Sequence, residues 1–210
     1  SPSPSPSPTP TPTPTPTDEP LVFSVAPTAR LDAGVVATGA PVTVQGDGPA
    51  AVTFERSLSR IAATLDCSAC TGEVSFNAPD RLLSDHFGGG TAPWSGTMLV
   101  DFGSPAVQEV WVDATGPWTL ELFTHDDLPP TQGPVSGTGH AVVLMIDGTN
   151  SFDFACSPPP GQECQAWAYS FVRPGLIGGA SSEIEETTSV DVELPGVIGI
   201  RTNGAWSITP

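Results

Sequence analysis

The chain has 210 residues and a formal net charge of −17 at pH 7, and all six of its basic residues are arginine. The lack of lysine excludes Schiff-base catalysis and the phosphate-binding lysine of a P-loop. So acidic a chain with scattered arginines also offers no counterion-releasing patch to nucleic acid, which leaves cations, basic proteins and neutral polymers as partners.

The chain opens with a spacer. Ser1 to Pro16 is a strict alternation of Pro with Ser or Thr, which cannot form a helix and favours polyproline II at about 3.1 Å per residue, or roughly 50 Å in all. Residues 1–19 are therefore expected to be a disordered linker of the kind found in glycosylated stalks. The longest compact apolar run, Ala141 to Ile146, is far shorter than the roughly 18 residues a transmembrane helix needs, so no membrane-spanning segment is expected.

From Leu21 onward the pattern is all-β: short alternating apolar runs broken by Gly, Pro, Asp or Asn. Leu21 to Ala40 would supply an edge strand or cover. The segment AVTFE then turns Val52 and Phe54 inward. The stretch AAVTFERSLSRIAATL reads either as a helix presenting Phe54, Leu58 and Ile61 or as two strands around Ser57 to Ser59. Next come GEVSFNA (Val74, Phe76), QEVWVDA, AVVLMI, AWAYSFV with Trp167, Tyr169 and Phe171 inward, and SVDVEL (Val190, Val192, Leu194).

The two halves repeat each other. GDGPAAVTF from Gly46 aligns with GTGHAVVLM from Gly137, and Cys67 and Cys70 align with Cys156 and Cys164. Leu82, Leu83 and a glycine-rich loop align with Leu176, Ile177 and another, LVDF with SVDV, and VWVDATGPW with IGIRTNGAW. Each half closes on Gly-x-Trp, at Trp118 and Trp206, the anchor of its last strand. The expected fold is two consecutive homologous antiparallel β-sandwich units, jelly-roll-like, over residues 20–126 and 127–210, with HDDLPPTQG at the joint.

Four cysteines allow three connectivities; their local pairing at matching positions favours Cys67 with Cys70 and Cys156 with Cys164. Such short loops contribute about 2 and 2.5 kcal/mol and belong to an oxidising compartment. CSAC has the form of a redox motif but lacks a surrounding βαβ pattern, and the seven residues between Cys156 and Cys164 suit zinc poorly.

No nucleophile elbow, zinc-protease motif or phosphate loop occurs. His86, His125 and His140 share no spacing and read as surface residues. Asp147, Asn150 and Asp153 are weak calcium candidates; DGTN is better read as an Asp-Gly hairpin turn. Asp126 and Asp127 are the carboxylates for a polysaccharide hydrolase, whose paired acids must face each other across a cleft. Trp94 and Trp111 lie outside the repeated anchor and are the candidates for exposed, ligand-stacking aromatics.

The Gly-x-Gly, the alternating strands, the glycine-rich loop and the closing Gly-x-Trp resemble tandem β-sandwich repeat domains of secreted or lipid-anchored envelope proteins from high-GC Gram-positive bacteria; the paired cysteines depart from that plan. The resemblance implies architecture and brings no catalytic residues with it. The expected function is a non-catalytic binding or spacer module of the cell envelope, with cell-wall or extracellular glycan, or another envelope protein, as partner. A polysaccharide-acting hydrolase domain and a calcium-dependent adhesion module are the alternatives. The expected location is extracellular or at the cell surface, with an anchor upstream of residue 1 as one arrangement, and no cofactor other than calcium is foreseen.

Overall fold

The computed structural model describes residues 26–56, 59–79, 86–100, 108–174 and 177–210, with only the backbone of His86 and Ile177. The linker at 1–19, Leu82 with Leu83, Leu176, and Asp101 with Phe102 lie outside the described residues.

The first nine strands are β1 (Ala29–Val36), β2 (Val42–Asp47), β3 (Ala50–Arg56), β4 (Ile61–Cys67), β5 (Thr71–Asn77), β6 (His86–Thr91), β7 (Trp94–Leu99), β8 (Glu109–Thr115) and β9 (Pro117–Thr124). A 3-10 turn, His125–Asp127, leads to β10 (Pro130–Thr131), β11 (Val135–Thr138), β12 (Ala141–Met145), β13 (Ser151–Ser157), β14 (Cys164–Ser170), β15 (Ile177–Ser182), β16 (Glu186–Asp191), β17 (Gly196–Arg201) and β18 (Ala205–Thr209). The ambiguous stretch before Cys67 is thus strands β3 and β4, and each predicted glycine-rich loop is a strand, β6 or β15.

The sheets are ordered β1-β3-β8-β5-β6 and β2-β9-β4-β7, then β10-β12-β17-β14-β15 and β11-β18-β13-β16. Adding nine to each label of the first pair gives the second pair, so the strand order is the same in both units. Apart from the parallel edge strands β1 and β10, the pairs β2/β9, β3/β8, β4/β7 and β5/β6 are nested antiparallel ladders. That is a long ribbon rolled upon itself, the jelly-roll wrapping. The corresponding pairs in the second unit are β11/β18, β12/β17, β13/β16 and β14/β15.

Each unit has its own core between its sheets. The first gathers Val52, Phe54, Leu65, Val74, Phe76, Val112 and Leu120; the second Met145, Phe152, Phe154, Ile198, Ile200 and Ile208. The recurrent glycines and tryptophans form one device. Gly46 pairs with Trp118 and Gly137 with Trp206 across their ladders, and a methyl at either glycine would strike the indole. The Trp118 Nε1–H donates to the Gly48 carbonyl at 2.8 Å, and the Trp206 Nε1–H to that of Gly139 at 2.9 Å. Gly48 and Gly139 have φ of 79° and 76°, a conformation that favours glycine. Their amides donate to the carbonyls of Gly116 and Gly204.

Both disulfides form the expected pairs, with Cα separations of 5.0 Å for Cys67–Cys70 and 6.4 Å for Cys156–Cys164. Each joins the four-stranded sheet of its unit to the five-stranded one. Two sequence readings are corrected. DGTN is no hairpin turn, because β12 and β13 lie in different sheets and the segment crosses between them. In β14 the inward residues are Cys164, Ala166, Ala168 and Ser170, so Trp167 and Tyr169 face outward; Phe171, beyond the strand, is exposed. In the repeat, β7 and β16 pair with β4 and β13 through Trp94 opposite Cys67 and Glu186 opposite Cys156. Val100 therefore matches Val192, two residues from the sequence alignment and on the same face.

Candidate functional site at the joint between the sandwiches

Of the outward aromatics of β14, Tyr169 meets Arg60 of the first unit and Trp167 lies beside Arg201 of its own. Strand β7, at the edge of the first four-stranded sheet, runs along the outer face of β12 and β17. The Thr97 amide donates to the His140 carbonyl at 3.2 Å. Gly199 leaves room for Leu99: a Cβ built on this glycine would lie 3.1 Å from the Leu99 Cβ. Farther along, the Arg60 guanidinium sits 3.2 Å from the centroid of the Tyr169 ring, a cation-π contact, and His125 lies beside Phe171 at 5.0 Å between centroids.

Trp94 occupies the centre of the joint. It is 8% exposed, and its ring meets His140 edge-on at a centroid distance of 5.3 Å. Its Nε1–H donates to Asn203 Oδ1 at 3.2 Å, while Asn203 Nδ2 donates to the Gly89 carbonyl at 3.1 Å and to Gln162 Oε1 at 3.0 Å. The glycines of β6 and β7 make this approach possible, because a Cβ at Gly88 or Gly96 would collide with His140 and one at Gly90 with Trp94.

Beside the joint lies a recess of about 220 Å³, lined by Gly89, His140, Gln162, Glu163, Arg201 and Asn203 among others. Burial lowers the pKa of Arg201, while Glu163 nearby opposes the shift; the guanidinium lies 5.3 Å from the Trp167 ring centroid. Hydrogen bonds from the side chains of Gln165 and Ser181 hold the Glu163 carboxylate below its usual pKa. The recess thus offers amide, imidazole, guanidinium and carboxylate groups to a polar ligand. Grooves of about 390 and 610 Å³ flank Trp118 and Trp206, the first over β2, β4 and β9 and the second over β13, β16 and β18.

Of the sequence-predicted site residues, Trp94 lies in the joint and the others fall elsewhere. Trp94 and Trp111 are both buried, at 8% and 9% exposure, so neither presents a stacking face. Trp111 pairs with the buried Ala51 on the outer face of its sheet and donates to Glu109, which also binds Arg30. His140 is buried rather than superficial, because the first unit covers it. The Asp147 carboxylate accepts the Gly133 amide, and Asn150 and Asp153 are exposed; among the described residues, no three His, Cys, Asp or Glu side chains are placed to hold a metal.

Asp126 and Asp127 act as local clamps. One Asp126 oxygen accepts hydroxyls from Ser59 at 2.7 Å and Thr38 at 3.2 Å. The His125 Nδ1 accepts the Arg60 amide, so a neutral ring carries its proton on Nε2, 3.3 Å from the other Asp126 oxygen. Asp127 accepts the Gly39 amide at 2.7 Å and both the amide and the hydroxyl of Thr124. Burial opposes its charge, but these bonds and His125 outweigh that and lower its pKa. A general acid needs the opposite shift.

The joint was missed in the sequence because its residues are those at which the aligned halves differ. His140 stands opposite Pro49, Val142 opposite Ala51, Gly199 opposite Trp111, Arg201 opposite Asp113 and Asn203 opposite Thr115. The loop between the second pair of cysteines, which brings Gln162 and Glu163, is also longer than its counterpart. A repeat keeps what the sandwich needs; the departures mark what each copy does separately.

No protein-family model and no curated protein matches the chain. Among solved structures it is similar to cAMP-bound PfPKA-R (141–441), with 7% identity over 80% of this chain and 69% of that one and a TM-score of 0.23, a level that carries no structural or functional weight.

Proposed function

We propose that the chain is a non-catalytic extracellular binding module of the cell envelope whose ligand site is the recess at the joint. The observation that supports this reading is convergence: Gln162, Glu163, Arg201, Asn203 and His140, none of them repeated in the first unit, line one polar hollow. Its mixture of amide, charged and imidazole groups suits a polyhydroxylated ligand, and a carbohydrate is the natural class, held by hydrogen bonds rather than by stacking on Trp94 or Trp111. Disulfides fit an oxidising compartment, and among the described residues no helix is long and apolar enough to cross a membrane. The test is saturation-transfer NMR with a panel of neutral and acidic oligosaccharides. Transfer that disappears in Gln162→Ala, with the fold intact, is the expected result. No transfer at millimolar sugar, or transfer unaffected by Gln162→Ala, overturns the reading.

The packed joint favours a second reading, a spacer that holds an upstream or downstream partner at a fixed distance. It predicts a rigid two-unit body and no small ligand.

A further inference from the structure

The chain has three asparagines, Asn77, Asn150 and Asn203, and only Asn203 precedes glycine. A glycine offers no side chain to hinder attack by its backbone nitrogen on the preceding side-chain amide. Asn203 is solvent-exposed as a residue, on the bend between β17 and β18. Its amide is also the polar rivet of the joint, accepting from Trp94 and donating to both Gly89 and Gln162.

We propose that Asn203–Gly204 is a self-modification site whose reaction releases the joint. The Gly204 nitrogen gives up its proton and bonds to the Asn203 Cγ. The bond from Cγ to the side-chain nitrogen breaks, and ammonia leaves with the displaced nitrogen. Water then opens the resulting succinimide at either carbonyl, giving aspartate or isoaspartate. No oxidant, metal or enzyme is needed.

The fold gates this step. In the closed joint the Gly204 amide donates to the Thr202 hydroxyl at 2.9 Å, and three hydrogen bonds hold the Asn203 side chain, so attack follows opening. The product does not re-form the rivet. A carboxylate cannot donate to the Gly89 carbonyl, and in a chain of net charge −17 it adds one more negative charge. Isoaspartate also lengthens the backbone next to Gly204, where a Cβ would already strike the Ser157 carbonyl and where the Gly204 carbonyl receives the Gly139 amide. The modification is therefore one-way and records how often the sandwiches have parted. This inference does not depend on the identity of any ligand.

The test is incubation of the intact chain at mildly alkaline pH with peptide mass mapping over time. Conversion at Asn203 well ahead of the exposed Asn150, with matching ammonia release, is expected, and Trp94→Phe, which removes the indole donor, should speed it several-fold. The converted fraction, separated by its added charge, should show a larger scattering radius. Asn203 converting no faster than Asn150, a rate unchanged by Trp94→Phe, or a converted fraction with the parent radius would each overturn the proposal. Asn203→Asp, made directly, should reproduce the larger radius without incubation.

Discussion

Gly199→Trp writes into the second unit the residue that the first carries at the matching place, Trp111. Gly199 lies in the extended strand β17, so the backbone accepts any side chain, and neither core contains this position. Within 4 Å, its added Cβ would meet the Cβ and Cδ2 of Leu99, at 3.1 and 3.7 Å. A methyl forces a small adjustment, whereas an indole cannot fit unless β7 withdraws. Overpacking without withdrawal costs about 1–3 kcal/mol. Withdrawal that uncovers half of Trp94, roughly 100 Å², costs about 2.5 kcal/mol at about 25 cal/mol per Å². An indole is too large for the first course, so β7 withdraws and a coupling of about 2.5 kcal/mol between the units is lost while both sandwiches stay folded. Calorimetry should turn one cooperative transition into two, and small-angle scattering should give a larger radius. An unchanged single transition with an unchanged radius would refute the claim that Leu99 over Gly199 joins the units.

The closing lock predicts that Gly137→Ala, which drives a methyl toward the Trp206 ring, lowers stability by about 1–3 kcal/mol in denaturant titration. Asp66, Asp127 and Glu163 all have lowered pKa values. Their stabilisation is complete above the ordinary carboxylate pKa of about 4 and is lost as pH falls through the lower folded-state values; thermal melts should therefore be flat around neutrality and decline only below about pH 4. Reducing the disulfides should cost about 2–2.5 kcal/mol each in urea titration without unfolding either sandwich. Because Asp147 already serves the Gly133 amide, chelation should leave the melting temperature unchanged; a rise on adding calcium would restore the adhesion reading.

The all-β class and the repeat were legible because β-strand alternation and the Gly-x-Gly and Gly-x-Trp signatures are local consequences of one tight device, the Trp118 and Trp206 locks. The same alternation misled at Trp167 and Tyr169. Period-two patterning tells which residues share a face, not which face is inside, and here the outer face is covered by the other unit, so large residues point outward and Ala166 and Ala168 point in. Trp94 was read as exposed for the converse reason: it begins an edge strand, and its burial joins the first unit's core to His140 and Asn203 of the other unit. The glycines of β6 looked like a loop because the partner that Gly88 makes room for, His140, lies about fifty residues away in the chain. What one sequence could have yielded is the set of unmatched positions in the aligned halves, among them Pro49 and His140, and Trp111 and Gly199.

The central claim is that the two jelly rolls form one body through the Trp94 joint. Residual dipolar couplings from backbone amides of the described strands, fitted separately for each unit in a weakly aligned sample, test it most directly. One common alignment tensor, which splits into two in Gly199→Trp, is the predicted result. Two different tensors in the parent protein would contradict the account.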